Sequence, residues 1–436
     1  MTNRLIASAL ALGFVAAPAA MAQGNDVEAV AEQTPIEMRA EQVVLLLNGQ
    51  LDEQPDAVFT EAFLAAVPTE QLKAISQQLT GQFGAAISVE AVEPRDGNRA
   101  SLAIRLERAI ARGGIAIDPA SGNRISELLF QSFEPISESP EEIRAALEDL
   151  PGAANALFAR ITREGAVQPV FAHNEDTQLA LGSAFKLYVL SALANSVEQG
   201  ERSWADVVSL TEKSFPSGQM QNWPQGAPVT LQTLATMMIS ISDNTATDQL
   251  ITTLGRQAVE AELVASGNSD PSATIPLMTT RQLFAMRGVS EETIARYRAA
   301  DDAGQRAILD GLTEADVSQE KVQAAFGSDT PGAIDIEWFA SPNDLARLLA
   351  RLNAYENPAA RQVMAVAPQL TGAQGDAWDY VGFKGGSEPG VLNFTWLLRD
   401  GNGDAWIATV GWNNPEAGVE TTTLYAIAQR MLALPR

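Results

Sequence analysis

Gly182-Ser183-Ala184-Phe185-Lys186, followed without a break by Leu187-Tyr188-Val189-Leu190-Ser191-Ala192-Leu193-Ala194, is the stretch on which the reading of this chain turns. A long uncharged run of this kind predicts a buried helix, opened by Ser183 and Lys186. Residues i and i+3 share one helix face, so Lys186 is expected one turn from Ser183. A serine in the first turn lies near free backbone N–H groups and the positive end of the helix dipole. That setting suits a hydroxyl that must lose its proton and then stabilise an oxyanion. Burial of Lys186 along the apolar helix would lower its pKa and leave the neutral amine that a base requires. The chain carries its own control. Ser318-x-x-Lys321 has the same spacing but lies in a charged segment with no buried helix after it.

Composition narrows the chemistry. The 436 residues contain no cysteine, one histidine and 46% apolar residues, with a formal charge of −25. Without cysteine there are no disulfides, thiol nucleophiles, thiolate zinc sites or cysteine-bound iron–sulfur clusters, so the fold rests on buried apolar area. A Ser-His-Asp triad could use only His173. It sits in the polar run Ala172-His173-Asn174-Glu175-Asp176, which reads as a turn. A histidine-rich metal site is excluded, and neither metal nor cofactor is expected. The acidic balance argues against nucleic acid or an anionic membrane as partner. Lysine usage sharpens the reading: 24 arginines stand against five lysines, at 73, 186, 213, 321 and 384. Arginine keeps its proton at working pH, whereas a desolvated lysine can release it.

Residues 1–22 read as a cleavable export signal: Arg4, an apolar stretch over 5–17, then Ala20-Met21-Ala22 before Gln23. Thirteen apolar residues are too few for a bilayer span, which needs about 20, and no later segment is long and apolar enough. A periplasmic or secreted protein is expected, with 23–35 as a disordered leader. Residues 36–136 read as a small α+β unit. Helical periodicity covers 38–51, 57–67 and 71–84, and strand-like runs follow at 87–92, 101–107, 114–118 and 125–130. Asp96-Gly97-Asn98 reads as a hairpin turn. Helices first and a curved sheet after them resemble the cone of the nuclear-transport-factor-2 (NTF2) and steroid-isomerase type. Ser139 is expected to cap a helix with Pro140 first and Glu142 third, which sets the boundary of a second domain, 137–436. Within it, 287–332 is charged and helical, carries Thr313-x-x-Asp316 as a capping box, and reads as an insertion.

Two further clusters follow. Ser242-Asp243-Asn244 joins a helix over 231–241, which Thr230 could cap, to another over 245–254. A serine and an asparagine two residues apart at such a junction can aim a hydroxyl and an amide into one cleft. Read alone, it is better taken as a helix-capping turn. Lys384-Gly385-Gly386-Ser387 continues a strand over 381–384, with others over 391–398 and 405–412 around the turn Asp400-Gly401-Asn402-Gly403. Glycine there lets another part of the chain approach the strand closely.

In this order, the three clusters resemble the Ser-x-x-Lys, Ser-Asp-Asn and Lys-Thr-Gly signature of class A β-lactamases and penicillin-binding proteins. The resemblance covers roughly 139–436. The 59-residue step from Ser183 to Ser242 is close to the family's own. Ser242-Asp-Asn-Thr-Ala-Thr-Asp-Gln-Leu250 is similar to family sequence beyond the motif. The resemblance implies an α+β fold in which a five-stranded antiparallel sheet packs against a helical lobe, with the site in the cleft between. It implies that Ser183 attacks a carbonyl and that Lys186 takes its proton. The N–H groups of Ser183 and Ser387 would form the oxyanion hole. Ser242 would relay a proton to the leaving nitrogen, Lys384 would attract a substrate carboxylate, Asn244 would orient Lys186 and the substrate amide, and Asp243 would be structural. Gly385 and Gly386 complete the binding strand.

Two departures stand out. Gly385 replaces the usual Thr or Ser, so one hydroxyl contact is missing. The loop that should carry Glu-x-x-Leu-Asn, whose glutamate activates the deacylating water, corresponds to 266–278 and contains no Glu; Glu260-x-x-Leu263 comes near but reads as helix. Ala340-Ser-Pro-Asn-Asp-Leu-Ala346, Leu277-Met-Thr-Thr-Arg281 and the front cone resemble, more narrowly, β-lactamase-fold proteins with a steroid-isomerase-like front domain, as in clavulanic acid biosynthesis. That group is associated with esterase-like and weak cephalosporin-directed activity. The expected partner is a small acyl substrate: a β-lactam, ester or cell-wall-like peptide. Two other readings remain, a protein that acylates without efficient turnover and a non-enzymatic binder that uses the cone. The oligomeric state is left open.

Overall fold

The structure, a computed structural model, describes residues 33–436 apart from 137–138, 163, 314–315, 317, 319–329 and 371. The export signal, most of the expected leader and Lys321 lie outside the described residues. No helix among the described residues is long and apolar enough to cross a membrane.

The front region opens with α1 (Pro35–Leu47), whose N-cap Thr34 forms a capping box with Glu37, then α2 (Pro55–Val58), α3 (Glu61–Ala66) and α4 (Thr69–Phe83). One helix is expected over 57–67, but the chain makes two. Phe59 leaves the helical path to bridge Ile125, Thr60 N–H donates to Ile125 O at 2.9 Å, and Thr60 then caps α3. Strands β1 (Ala86–Pro94), β2 (Arg99–Leu106), β3 (Ala109–Asp118) and β4 (Arg124–Pro135) form an antiparallel sheet in sequence order. At the first turn Asp96 Oδ1 accepts from Asn98 N and Arg99 N, both at 2.9 Å. Val43, Leu47, Phe59, Leu102, Ile104 and Ile115 fill the space between α1 and the sheet.

The second region begins at α5 (Pro140–Glu148), capped by Ser139 with Glu142 closing the capping box. Strands β5 (Ala153–Ile161) and β6 (Val167–His173) follow, then β7 (Leu179–Ala180) and α6 (Lys186–Glu198). Next come β8 (Val207–Ser209) and β9 (Pro228–Thr230), a small ladder, and the helices α7 (Leu231–Ser240), α8 (Asn244–Leu254), α9 (Arg256–Ala265), α10 (Thr280–Met286), α11 (Glu291–Ala299) and α12 (Asp302–Asp310). After β10 (Phe339–Ala340), which pairs with β7, the chain ends in β11 (Tyr380–Glu388), β12 (Val391–Arg399), β13 (Ala405–Asn413) and a helix over Thr421–Leu432. The main sheet is antiparallel throughout, ordered β11-β12-β13-β5-β6.

Alternation along the strands assigns the two faces of this sheet. Leu157, Leu397 and Ile407 point to the helical lobe around α6. Phe158, Trp396 and Trp406 point the other way, to a layer holding Ile143 and Leu147 of α5 and Leu424 and Ile427 of the last helix. Most of α6 is buried, Lys186 included. A helix apolar all round belongs in a core, and this one forms the middle of the helical lobe. His173 is not in a turn: it closes β6 opposite Ala156, buried.

Candidate active site

The free edge of β11 meets the start of α6. Residues Gly182–Phe185 form a 3-10 turn that leads into α6, with Gly182 at φ +50°. This turn lies over Gly386. A Cβ there would clash with the Leu181 carbonyl oxygen and stand 2.6 Å from Ser183 N. Only glycine permits the approach. Ser183 is thereby fixed against the edge strand, and it lines a cleft of about 610 Å³ together with Ser242, Asn244, Lys384, Gly385, Gly386, Ser387 and Glu388. All eight residues expected at the site either line this cleft or, in the case of Lys186, bond directly to its wall.

Ser242-Asp243-Asn244 sits where α7 gives way to α8. Ser242 adopts a left-handed backbone, φ +58°, uncommon for a residue with a side chain and typical of sites held by their surroundings. Asp243 supplies the holding. One carboxylate oxygen caps α8 through Ala246 N at 2.8 Å, and the other accepts from Gln219 N at 2.6 Å and Met220 N at 2.8 Å. Asn244 accepts from Lys186 Nζ at 2.7 Å and donates to Phe215 O at 3.2 Å.

Lys186 Nζ also lies 2.7 Å from the Ser242 carbonyl oxygen and 3.1 Å from Ser242 Oγ. Lys384 Nζ approaches the same hydroxyl at 3.1 Å and donates to Gly385 O at 2.6 Å. Two amines thus converge on one oxygen, with exposures of 0% and 4%. If both were ammonium about 6 Å apart, they would repel by about 3 kcal/mol at an effective dielectric of 20. Burial first, then the neighbouring Lys384, pushes Lys186 well below its ordinary value, against the opposing pull of Asp248, Asp243 and Glu388. Burial alone brings Lys384 down to about 7. A neutral Lys186 fits its surroundings: its N–H groups serve the carbonyl oxygens of Ser242 and Asn244, and the Ser242 hydroxyl lies 3.1 Å away. Ser183 Oγ and Lys186 Nζ are not directly hydrogen-bonded in this state.

The glutamate that comes nearest the expected loop pattern is committed elsewhere. Glu260 on α9 accepts from Leu277 N at 2.9 Å and pairs with Arg306 at 3.0 Å. His173 does not line the cleft. Asp248 is a buried anchor that sequence reading missed. It accepts from Ser214 Oγ, Thr280 N and Arg281 N at 2.6, 2.7 and 2.9 Å, which ties α8 to α10. Glu388 was missed as well, although it directly follows Ser387. Period-two alternation from Lys384 would have put it on the same face.

Residues 139–367, more than half of the chain, match the sequence model of the beta-lactamase enzyme family. The chain belongs to that family. Ser183, Lys186, Ser242 and Asn244 fall within the matched stretch, and Lys384–Ser387 beyond it. Among solved structures, a β-lactamase from Sphaerobacter thermophilus is 21% identical, with 67% of this chain and 95% of that one covered and a TM-score of 0.45. PBP-A is 16% identical (67% and 92%, 0.44). A β-lactamase from Chitinophaga pinensis is 17% identical (67% and 96%, 0.43). No curated protein sequence matches the chain. As a family member, this chain has the antiparallel sheet and helical lobe of the β-lactamase/transpeptidase type.

Proposed function

We propose that this protein is an active-site-serine hydrolase that opens β-lactams, or related esters and amides, through an acyl-enzyme on Ser183. The observation that carries the reading is the convergence of the buried Lys186 and Lys384 amines on the Ser242 hydroxyl, in the cleft that Ser183 lines. Ser183 Oγ attacks the carbonyl carbon, and its proton passes to Lys186, directly or through a water. The oxyanion is held by the N–H groups of Ser183 and Ser387. As the carbon–nitrogen bond breaks, Lys186 returns the proton through Ser242 to the leaving nitrogen, leaving an ester on Ser183. Lys384 and the exposed Ser387 hydroxyl receive a substrate carboxylate, the latter in place of the hydroxyl that Gly385 lacks. Asn244 keeps Lys186 in place.

Export by a cleavable signal ending near Ala22, and an NTF2-like front domain over 36–136 joined to the hydrolase domain over 137–436, belong to the same proposal. With a chromogenic cephalosporin and p-nitrophenyl esters, Ser183→Ala is expected to lose at least about 10³-fold in turnover. Equal turnover by the variant and the native protein refutes the reading. The lack of Glu in 266–278 favours a second reading, acylation without efficient turnover. Intact mass after penicillin treatment separates the two: a persistent adduct supports trapping, and rapid return to the free mass supports hydrolysis.

A further inference from the structure

Turnover of a serine ester requires an activated water, and the 266–278 loop has no glutamate; its one carboxylate, Asp270, is exposed, accepts from Ser272 and does not line the cleft. The cleft nevertheless has a carboxylate of its own. On β11, Lys384, Gly386 and Glu388 share the face turned toward the helical lobe, opposite Thr395, Asn393 and Val391 of β12. Alternate residues on a strand are spaced by about 7 Å. Ser183 N packs over Gly386, so Lys384 flanks the nucleophile on one side and Glu388 on the other.

Glu388 lines the cleft but is not a loose surface carboxylate. Its side chain is 6% exposed and lies 3.2 Å from Arg287 Nη2, and the same nitrogen lies 3.0 Å from Glu337. Arg287 is anchored in turn on the Ala333 carbonyl oxygen. Glu337 is tied to the nucleophile's own segment: the next carbonyl, of Trp338, accepts Leu181 N–H at 2.9 Å, and the Trp338 ring stacks on Phe185 at 3.6 Å.

We propose that Glu388, positioned by Arg287 and Glu337, is the general base that activates water to hydrolyse the Ser183 acyl-enzyme. This rests on the acyl-enzyme reading above. One guanidinium cannot balance two buried carboxylates. Burial, with Glu388 beside it, pushes the Glu337 carboxyl well above the usual range. Glu337 is therefore the member of the pair that holds a proton, and Glu388 keeps its 3.2 Å contact with Arg287. In deacylation a water oxygen bonds to the ester carbon while one of its protons passes to Glu388. The oxyanion collapses, the bond from carbon to Ser183 Oγ breaks, and the proton returns to that oxygen. The product leaves as a free acid. Proton removal from the Ser183 side and from the Glu388 side are separate tasks, which the strand keeps apart.

The experiment follows stopped-flow turnover and intact mass with a chromogenic cephalosporin for the full chain and for Glu388→Gln. Expected are an unchanged acylation burst and a deacylation rate lowered about 10²- to 10³-fold, the scale of a lost general base, with the adduct accumulating on Ser183. Unchanged acylation also shows that the variant is folded. Deacylation within threefold of the native rate overturns the proposal and leaves the Ser183 mechanism standing. A native adduct that never turns over also overturns it, again without touching acylation. Absence of any adduct or Ser183-dependent turnover in the native chain removes the mechanism itself. If Glu388→Gln does not fold, Glu388→Asp keeps the charge beside Arg287 but withdraws the carboxylate. It is expected to acylate normally and deacylate at least tenfold more slowly, and native deacylation in that variant overturns the proposal.

Discussion

On one flank of Ser183, Lys186 and Lys384 share the Ser242 hydroxyl; on the other, Glu337 and Glu388 share the guanidinium of Arg287. Both pairs bring like charges together in a buried setting, yet their surroundings differ. The amines meet neutral acceptors, the carbonyls of Ser242, Asn244 and Gly385. With no carboxylate in direct contact, the lower-energy outcome for Lys186 is to give up its proton. The carboxylates meet a full positive charge that is itself buried, and it is the Glu337 carboxyl that burial, with Glu388 beside it, pushes up. In the proposed reaction, one flank supplies the base for the nucleophile and the other the base for water. The contrast teaches that the partner, rather than burial alone, decides which protonation state a buried pair adopts.

The largest effect that tests this contrast is on the amine side. Lys186→Met removes the base while keeping an unbranched side chain only one atom shorter, and acylation is expected to fall about 10³-fold. Lys186→Arg should fall nearly as far, because a guanidinium does not release its proton at working pH. Burst rates with a chromogenic cephalosporin measure both. An arginine variant that keeps a tenth of native acylation would mean that the amine is not the base.

A second variant addresses the point between the flanks. At Gly386 an added methyl would collide with the 181–184 turn, so Gly386→Ala must move Ser183 away from both. A displacement of about 1 Å can cost about 10²-fold in rate, and overpacking of this kind costs about 1–3 kcal/mol. Acylation should therefore drop about 10²-fold and the melting temperature should fall by several degrees. Gly401→Ala, where an added Cβ meets nothing within 4 Å, should leave both unchanged. Native acylation by Gly386→Ala would show that the turn is not held by this strand.

Much of this arrangement was legible in the residue order, because it depends on local chemistry. Ser139, Thr230 and Asp243 announce helix starts through their side chains, and the apolar run after Lys186 announces burial on every side. The three clusters could be placed on helix starts and a strand end from these signals; that the strand is an edge appears only in the sheet order. What stayed hidden depends on long-range pairing. Phe59 breaks a helix that its local sequence favours, since Ile125 lies across from it only after the sheet forms. Arg287 meets Glu388 across 101 residues, and neither residue alone differs from the many charged surface groups of an acidic chain. His173 reads as polar turn material, yet the strand carries it into a buried position. Glu388 was within reach: counting alternation past Ser387 places it beside the nucleophile.

The smallest effect concerns the second lysine and turns on pH. Burial brings Lys384 from an ordinary value near 10.5 down to about 7 in the free protein. If its charge attracts a substrate carboxylate, the competent fraction falls as pH rises through 7. For a carboxylate-bearing cephalosporin, kcat/KM should then drop about fivefold between pH 7 and pH 8, since this parameter reports groups of the free enzyme. For an uncharged p-nitrophenyl ester it should hold or rise, because that substrate needs only the neutral Lys186 amine, which burial and the neighbouring Lys384 favour. In the complex, the bound carboxylate favours the charged lysine, so kcat should fall at a higher pH than kcat/KM. Parallel profiles for the two substrates would mean that Lys384 does not act through its charge. Its contact with Ser242 Oγ would then make it part of the proton path, and the two amines would have one task instead of two.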